Sequence, residues 1–187
     1  MANKDAAFGL KPIGKVGQNR DAQGLSEYSI AASASAIYFQ DPVELAATGT
    51  ITVAAASDAL LGSLNGVFFT DATTGKPTFA NHLDASNTAT DIVGFVSDDP
   101  YERFEIQADG ATAAADVGLN ADIVYAAGSS PDYVSKVELQ TSDQKTGTAQ
   151  LRILAISKDP DNNTAGSANV NLVVLINEHQ LKATAGV

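Results

Sequence analysis

The chain has 187 residues, of which 44% are hydrophobic and 6% aromatic, so one domain with a thin core of valine, isoleucine and leucine is expected. It contains no cysteine, which excludes disulfide bonds, thiolate zinc sites and cysteine nucleophiles. Because 22 acidic residues outweigh 11 basic ones and give a net charge of -11, we expect no binding to nucleic acid, which depends on clustered lysine and arginine.

We also expect no membrane attachment and no secretory signal. Residues 1–7 carry one base and one acid, and no apolar stretch of the kind found in signal peptides follows them. The longest strongly apolar run, at 172–176, is far shorter than the roughly 20 residues that span a bilayer.

Residues 1–25 are predicted to form an extended N-terminal arm. Their apolar side chains are isolated, follow no period and are separated by glycines; they are Phe8, Leu10, Ile13, Val16 and Leu25. Such a segment buries too little of itself to fold alone. It is therefore expected either to be disordered or to lie against a neighbour that supplies the missing burial. Residues 26–187 are predicted to form one β-rich domain.

Short strands separated by turns are predicted through the first half of this domain. Alternating apolar and polar residues, and apolar runs closed by an Asp-Pro turn, indicate strands at 28–32, 36–39, 42–45, 50–54, 62–70 and 76–79. The 62–70 strand is predicted to be bulged, because Gly62 and Gly66 interrupt it. Residues 71–75 have the composition of a hairpin turn that joins the last two strands.

In the second half, strands at 92–96 and 101–107 are predicted to pair as a hairpin across the turn at 97–100. A short helix is predicted at 111–117, ending at Gly118. Four more strands are predicted at 122–126, 134–139, 151–157 and 169–177. The last is long enough to be central. About ten short strands predict an all-β fold, mainly β with one short helix, in a single β-barrel or β-sandwich domain.

No metal or imidazole site is predicted. The two histidines, His82 and His179, are far apart in the chain and lack the spacing of a metal pair. Residues 159–163 place oxygens at alternate positions, as at the opening of a calcium loop. However, Thr164 stands where a glycine should bend the loop and Val170 where a bidentate glutamate should bind. An acidic turn is therefore predicted here.

One group of carboxylates is the only candidate for catalysis. It comprises Asp91, Asp98, Asp99 and Glu102, which could supply an acid–base pair for glycoside hydrolysis. Acidic residues before proline usually accept hydrogen bonds from the turn backbone, and this interpretation is preferred here. We therefore expect no enzymatic activity and no cofactor.

Short motifs in a consistent order resemble the capsid decoration, or cement, proteins of tailed bacteriophages. The motifs are AFGLKP at 7–12, EYSIA at 27–31, DPV at 41–43, GVF at 66–68, TD at 70–71 with GKP at 75–77, DDP at 98–100, FEIQADG at 104–110 and LINEH at 175–179. The likeness extends over nearly the whole chain. It departs at 81–83, where relatives tend to carry an aromatic residue, and at 31–36, which is unusually rich in alanine and serine.

The resemblance implies a structural virion protein on the outer surface of the capsid, assembled in the host cytoplasm. It would bridge neighbouring major capsid proteins and stabilise the expanded shell, as a homotrimer. The capsid-binding residues are then expected in the arm, at Phe8, Leu10, Lys11, Pro12, Ile13 and Val16.

Two other functions remain open at this point. The first is an outward-facing module that binds a host surface or a glycan. Without tryptophan, its stacking platforms would have to be Tyr38, Tyr101, Tyr125 and Tyr133. The second is an enzyme, which requires the carboxylates between Asp91 and Glu102 to have perturbed pKa values in a cleft.

Overall fold

The computed structural model describes residues 2–17 and 24–182. Their regular structure is mainly β, as predicted, with three short 3-10 turns and no α-helix in these ranges. The strands are β1 Lys11–Lys15, β2 Ser26–Ser29, β3 Pro42–Leu45, β4 Ile51–Val53, β5 Gly62–Thr70, β6 Pro77–Ala80, β7 Val93–Ser97, β8 Glu102–Gln107, β9 Asn120–Ala121, β10 Ile123–Val124, β11 Glu138–Leu139, β12 Leu151–Ile156 and β13 Asn171–Ile176. The 3-10 turns are Ala114–Asp116, Thr141–Asp143 and Gln180–Lys182.

The strands form three antiparallel sheets. A five-stranded sheet has the order β1-β8-β13-β12-β9, and a two-stranded sheet consists of β10 and β11. The third has the order β2-β7-β5-β3-β4, with β6 also paired to β5. In the described residues neither large sheet closes on itself, which agrees with a sandwich rather than a barrel. The last strand, β13, is central in the five-stranded sheet, as predicted, and its side chains Leu172, Val174 and Ile176 are buried on one face.

Two hydrophobic clusters stabilise the large sheets. The first lies against the five-stranded sheet and combines Phe104, Ile106 and the buried face of β13 with Leu10 and Leu60. The second lies against the six-stranded sheet and is built on residues such as Leu61 and Leu64. Leu60 and Leu61 are adjacent in sequence yet belong to different clusters. The residues that lead into β5 therefore connect the two hydrophobic clusters.

The hairpin and the bulge predicted in the first half are confirmed. Strands β5 and β6 pair from Val67↔Ala80 to Thr70↔Pro77. In the turn between them, the Asp71 carboxylate accepts hydrogen bonds from the amides of Thr73 and Thr74. The pairing of β5 with β7 shifts register between Leu64 and Gly66, which places the bulge at the predicted glycine.

The predicted helix at 111–117 is wrong, because only Ala114–Asp116 forms a 3-10 turn. The turn keeps one internal bond, from the Asp116 amide to the Ala113 carbonyl, while other backbone groups of the segment bond to distant parts of the chain. The Thr112 carbonyl accepts from the Gly166 amide at 2.8 Å, and the Gly118 amide donates to Ile153 at 2.9 Å. These tertiary bonds use the groups that helical i to i−4 bonds would need, and they outweigh the helix propensity of alanine.

The hairpin predicted across 97–100 is also wrong, although both of its strands exist. Strand β7 belongs to the six-stranded sheet and β8 to the five-stranded sheet. Strand β8 pairs with β1 and β13 on its two edges, so no edge remains for β7. The Asp-Pro turn therefore carries the chain from one sheet to the other. Residues 36–39, also predicted as a strand, form only isolated bridges.

Candidate interaction surface

The described part of the N-terminal arm, residues 2–17, lies on its own domain. Strand β1 is the edge strand of the five-stranded sheet and pairs with β8 from Lys11↔Glu105 to Lys15↔Glu102. The register shifts between Pro12 and Gly14, so β1 carries a bulge. Residues 18–23 lie outside the described residues.

The start of this segment is held by the loop that was predicted as an acidic turn. The Asn162 side chain accepts a hydrogen bond from the Lys4 amide at 2.9 Å and donates one to the Lys4 carbonyl at 2.8 Å. Asn3 donates to the carbonyl of Ala168 at 2.8 Å. Within the described ranges, no group of three or more metal-ligating side chains is found. The loop at 159–163 holds the N-terminal segment through the Asn162 side chain and through an ion pair between Asp161 and Lys4.

Leu10 is part of the core and is completely buried. Its amide donates to the Gln40 carbonyl at 2.9 Å, and its carbonyl accepts from the Ser63 hydroxyl. The preceding Gly9 has φ +77°, and a Cβ there would lie 2.3 Å from the Gln40 carbonyl oxygen. Leu10, one of the six residues expected to bind a capsid, is therefore a core residue of the domain.

The other five expected residues lie at the surface to different extents. Ile13 and Val16 are the most open of the apolar ones, with 39% and 47% of their surface exposed. Phe8 and Pro12 are half-buried. Lys11 is exposed, and its ammonium lies 5.9 Å from the centre of the Phe8 ring. The exposed apolar part of the arm is therefore its second half.

The candidate catalytic carboxylates have structural partners at the turn between β7 and β8. Asp98 accepts hydrogen bonds from the hydroxyls of Ser26 at 2.9 Å and Tyr28 at 2.6 Å. Burial, followed by the bond to Asp98, raises the pKa of the Tyr28 hydroxyl. Asp99 is 2.6 Å from the Lys15 ammonium, and this bond lowers the pKa of Asp99. The turn thus holds the end of β1 and the start of β2.

The two remaining members of the group are also engaged by backbone amides. Glu102 accepts from the Gly14 amide at 2.9 Å, and burial raises the pKa of this carboxyl. Asp91 accepts from the Thr70 amide at 3.0 Å, and bonds from Thr70 lower its pKa. All four carboxylates therefore accept hydrogen bonds that hold chain segments together.

The two histidines have separate environments. His82 stacks on Tyr133, with ring centres 3.8 Å apart. His179 is almost fully buried, and its Nδ1 accepts from the Leu181 amide at 3.1 Å. Burial, with the charge of Lys182, lowers the pKa of His179 to about 4, so the imidazole is neutral near pH 7. The structure does not bring the two imidazoles together in one site.

The four tyrosines of the glycan alternative are Tyr38, Tyr101, Tyr125 and Tyr133. Two of these rings already have a partner on one face. Tyr133 is stacked on His82, and the Lys182 ammonium lies 4.5 Å from the centre of the Tyr101 ring. Tyr38 is parallel to His82 at 6.5 Å, while Tyr125 is 39% exposed. The described residues therefore do not present the four as one open stacking surface.

A cluster of three phenylalanines was missed by the sequence analysis. Phe79 on β6 is 70% exposed; its ring stacks on Phe95 of β7, with ring centres 5.2 Å apart, and is tilted by 54° against Phe68 of β5, with ring centres 6.0 Å apart. The sequence contained a signal for this cluster, because the hairpin turn predicted at 71–75 places Phe68 opposite Phe79. This aromatic cluster is an exposed apolar surface on the six-stranded sheet.

Comparison with known proteins found no matching family model, no matching curated protein and no matching solved structure. In the part of the chain that the structure describes, no helix has the length and apolar character needed to cross a membrane.

Proposed function

We propose that the protein is a structural virion component that binds the outer surface of a bacteriophage capsid and cements neighbouring major capsid proteins. The observation that carries this proposal is the preorganised N-terminal segment. It is held at one end by Asn162 and at the other by Asp99, while Ile13 and Val16 remain exposed. A strand that is already ordered loses little conformational entropy when a partner covers its apolar side chains.

The roles of the acidic side chains support a mechanical rather than a catalytic function. The carboxylates of Asp91, Asp98, Asp99 and Glu102 accept bonds from the backbone, from hydroxyls or from Lys15. A general acid–base pair needs carboxyls that are directed at a substrate and free to exchange protons. In this protein they connect the segments that position the N-terminal strand.

The proposal includes self-association as a homotrimer, as the resemblance to decoration proteins implies. Phe79 supports a contact between copies, because a ring with 70% of its surface exposed gains burial when covered. Several copies attached together hold a shell more firmly than one, even where each contact is modest. Sedimentation velocity at micromolar concentration measures the assembly state directly, and a strict monomer would contradict this part of the proposal.

Co-sedimentation with empty expanded phage shells tests the attachment. The wild type is compared with the double variant Ile13→Ser, Val16→Ser. The control is Val117→Ser, because Val117 is exposed to a similar extent, 41%, but lies outside the arm. Covering each half-exposed side chain contributes about 1 kcal/mol. The double variant should therefore bind about thirtyfold more weakly, whereas Val117→Ser should bind like the wild type.

Cryo-electron microscopy of the same particles gives the position of the bound protein, and calorimetry gives the melting temperature of the shell. Decorated shells should melt at a higher temperature than undecorated ones, since a ligand that binds only the assembled state stabilises it. The proposed function is wrong if the wild-type protein is not found on the shells and the shells melt at the same temperature with and without it.

A further inference from the structure

The outward face of the five-stranded sheet contains a groove of about 490 Å³. Its apolar lining comes from Ile13, Leu154, Ile156 and Val173, and its charged lining includes Arg103 and Lys158. We refer to these residues as the basic groove. It lies on the opposite side of the sheet from the core, because Arg103 alternates along β8 with the buried Phe104.

The groove is basic although the protein is strongly acidic. Arg103 and Arg152 lie on the same face, since each is opposite Leu175 in the sheet register. Neither arginine nor Lys158 takes part in an ion pair with another described residue. The acidic side chain in the lining, Glu105, is engaged by the Ser157 hydroxyl and lies 3.4 Å from Lys11. Arg152 lies beside the groove rather than in its lining, and its Nε donates to the Asn120 side chain at 3.0 Å. Arg103 and Lys158 in the lining, with the terminal nitrogens of Arg152 on the same face, are therefore available to an external anion.

Arg103 also has a buried donor without an acceptor. Its Nε is shielded from solvent and has no hydrogen-bond partner among the described residues. A buried donor left unpaired costs free energy, so the Arg103 side chain gains when it shifts to meet an acceptor, and a carboxylate is the acceptor that fits a guanidinium best. The apolar floor beside it would contact aliphatic side chains. The groove thus combines a site for a carboxylate with a site for neighbouring apolar groups.

We propose that the basic groove binds an acidic, extended polypeptide segment of the capsid shell. A carboxylate of the segment binds Arg103, a second lies near Arg152 or Lys158, and the apolar side chains between them contact Ile13 and Val173. This inference rests on the proposed function, since the shell supplies the partner. A peptide fits better than a nucleic acid, because the floor is apolar and can contact the aliphatic side chains of a peptide.

The direct test uses a fluorescently labelled peptide of alternating glutamate and valine, with a lysine–valine peptide as the charge control. The double variant Arg103→Gln, Arg152→Gln is compared with Lys76→Gln, Lys136→Gln. The lysine variant changes the net charge by the same amount as the arginine variant. Like the arginines, Lys76 and Lys136 form no ion pair with described residues. Anisotropy titrations should show that the arginine variant binds the acidic peptide about tenfold more weakly, and that the lysine variant binds it like the wild type.

Equal affinity of the two double variants for the acidic peptide would overturn the inference, as would equal affinity of the wild type for the two peptides. Circular dichroism melting checks that the variants are folded, and Lys158→Gln, which replaces an exposed side chain, should show a smaller loss in the same direction. If the arginine variant instead loses only self-association, the occupant is a second copy and the inference is wrong.

Shell binding separates this inference from the proposed function. If wild type and arginine variant bind shells equally, the groove is not the attachment site, although the cement function stands. If the wild type binds the acidic peptide but no shell, the proposed function is wrong and the groove loses its assigned partner. Loss of shell binding in the arginine variant alone supports both.

Discussion

Asp41 is a buried carboxylate whose replacement by asparagine should stabilise the protein near neutral pH. The residue has no exposed surface. Its Oδ2 accepts a hydrogen bond from the Tyr38 amide at 2.8 Å, whereas Oδ1 has no partner among the described residues. Burial raises the pKa of Asp41 from 3.8 to about 6, and the nearby Ser135 hydroxyl and the Tyr38 amide counteract only part of this effect.

The size of the effect follows from that pKa. A difference of about two units between the folded and unfolded chain corresponds to about 3 kcal/mol. Because the folded state binds this proton more tightly, the stabilisation is fully present below the unfolded pKa of 3.8 and is lost as the pH rises through about 6. Asparagine is neutral at every pH and can still accept from Tyr38. Asp41→Asn should therefore raise the free energy of unfolding by up to about 3 kcal/mol at pH 7.5 and have little effect at pH 4.

Urea denaturation of both proteins at several pH values between 4 and 7.5 measures this difference. Asp132→Asn serves as the control, since it removes one carboxylate from an exposed position. The difference in unfolding free energy between Asp132→Asn and the wild type should depend much less on pH. The reasoning about Asp41 is refuted if the effect of Asp41→Asn does not change with pH, or if the variant is less stable than the wild type at pH 7.5.

Three further outcomes are expected from thermal or urea unfolding and from sedimentation. Gly9→Ala should destabilise the domain by more than about 2 kcal/mol, while Gly17→Ala, which has a similar φ but open space around it, should cost only about 1 kcal/mol; equal losses would contradict the steric argument. Gln180→Ala removes two side-chain bonds to the Leu45 backbone and should cost about 1–3 kcal/mol, measured by urea denaturation. Phe79→Ser should weaken self-association in sedimentation velocity while the protein stays folded, and an unchanged association state would exclude this ring from the contact.

The sequence by itself determined the features that depend on neighbouring residues. Strands such as β5 and β12 were predicted because alternation and β-branched side chains act over a few positions. The turn after β5 was predicted because the Asp71 carboxylate bonds to amides two and three residues away. The same local chemistry predicted that Asp98 and Asp99 act in a turn, although their partners Tyr28 and Lys15 could not be predicted.

Only the tertiary structure decided which distant segments meet. Strand β1 forms because β8 offers it an edge, and residues 111–117 lose their helix because remote backbone groups bond to them. The arm's apolar residues were visible in the sequence, but only the packing determines that Leu10 is buried while Ile13 is exposed. The placement of Arg103 and Arg152 on one face, on either side of Leu175, likewise depends on the order of strands in the sheet. Such contacts join residues far apart in sequence, and their free energy has no counterpart in any local pattern.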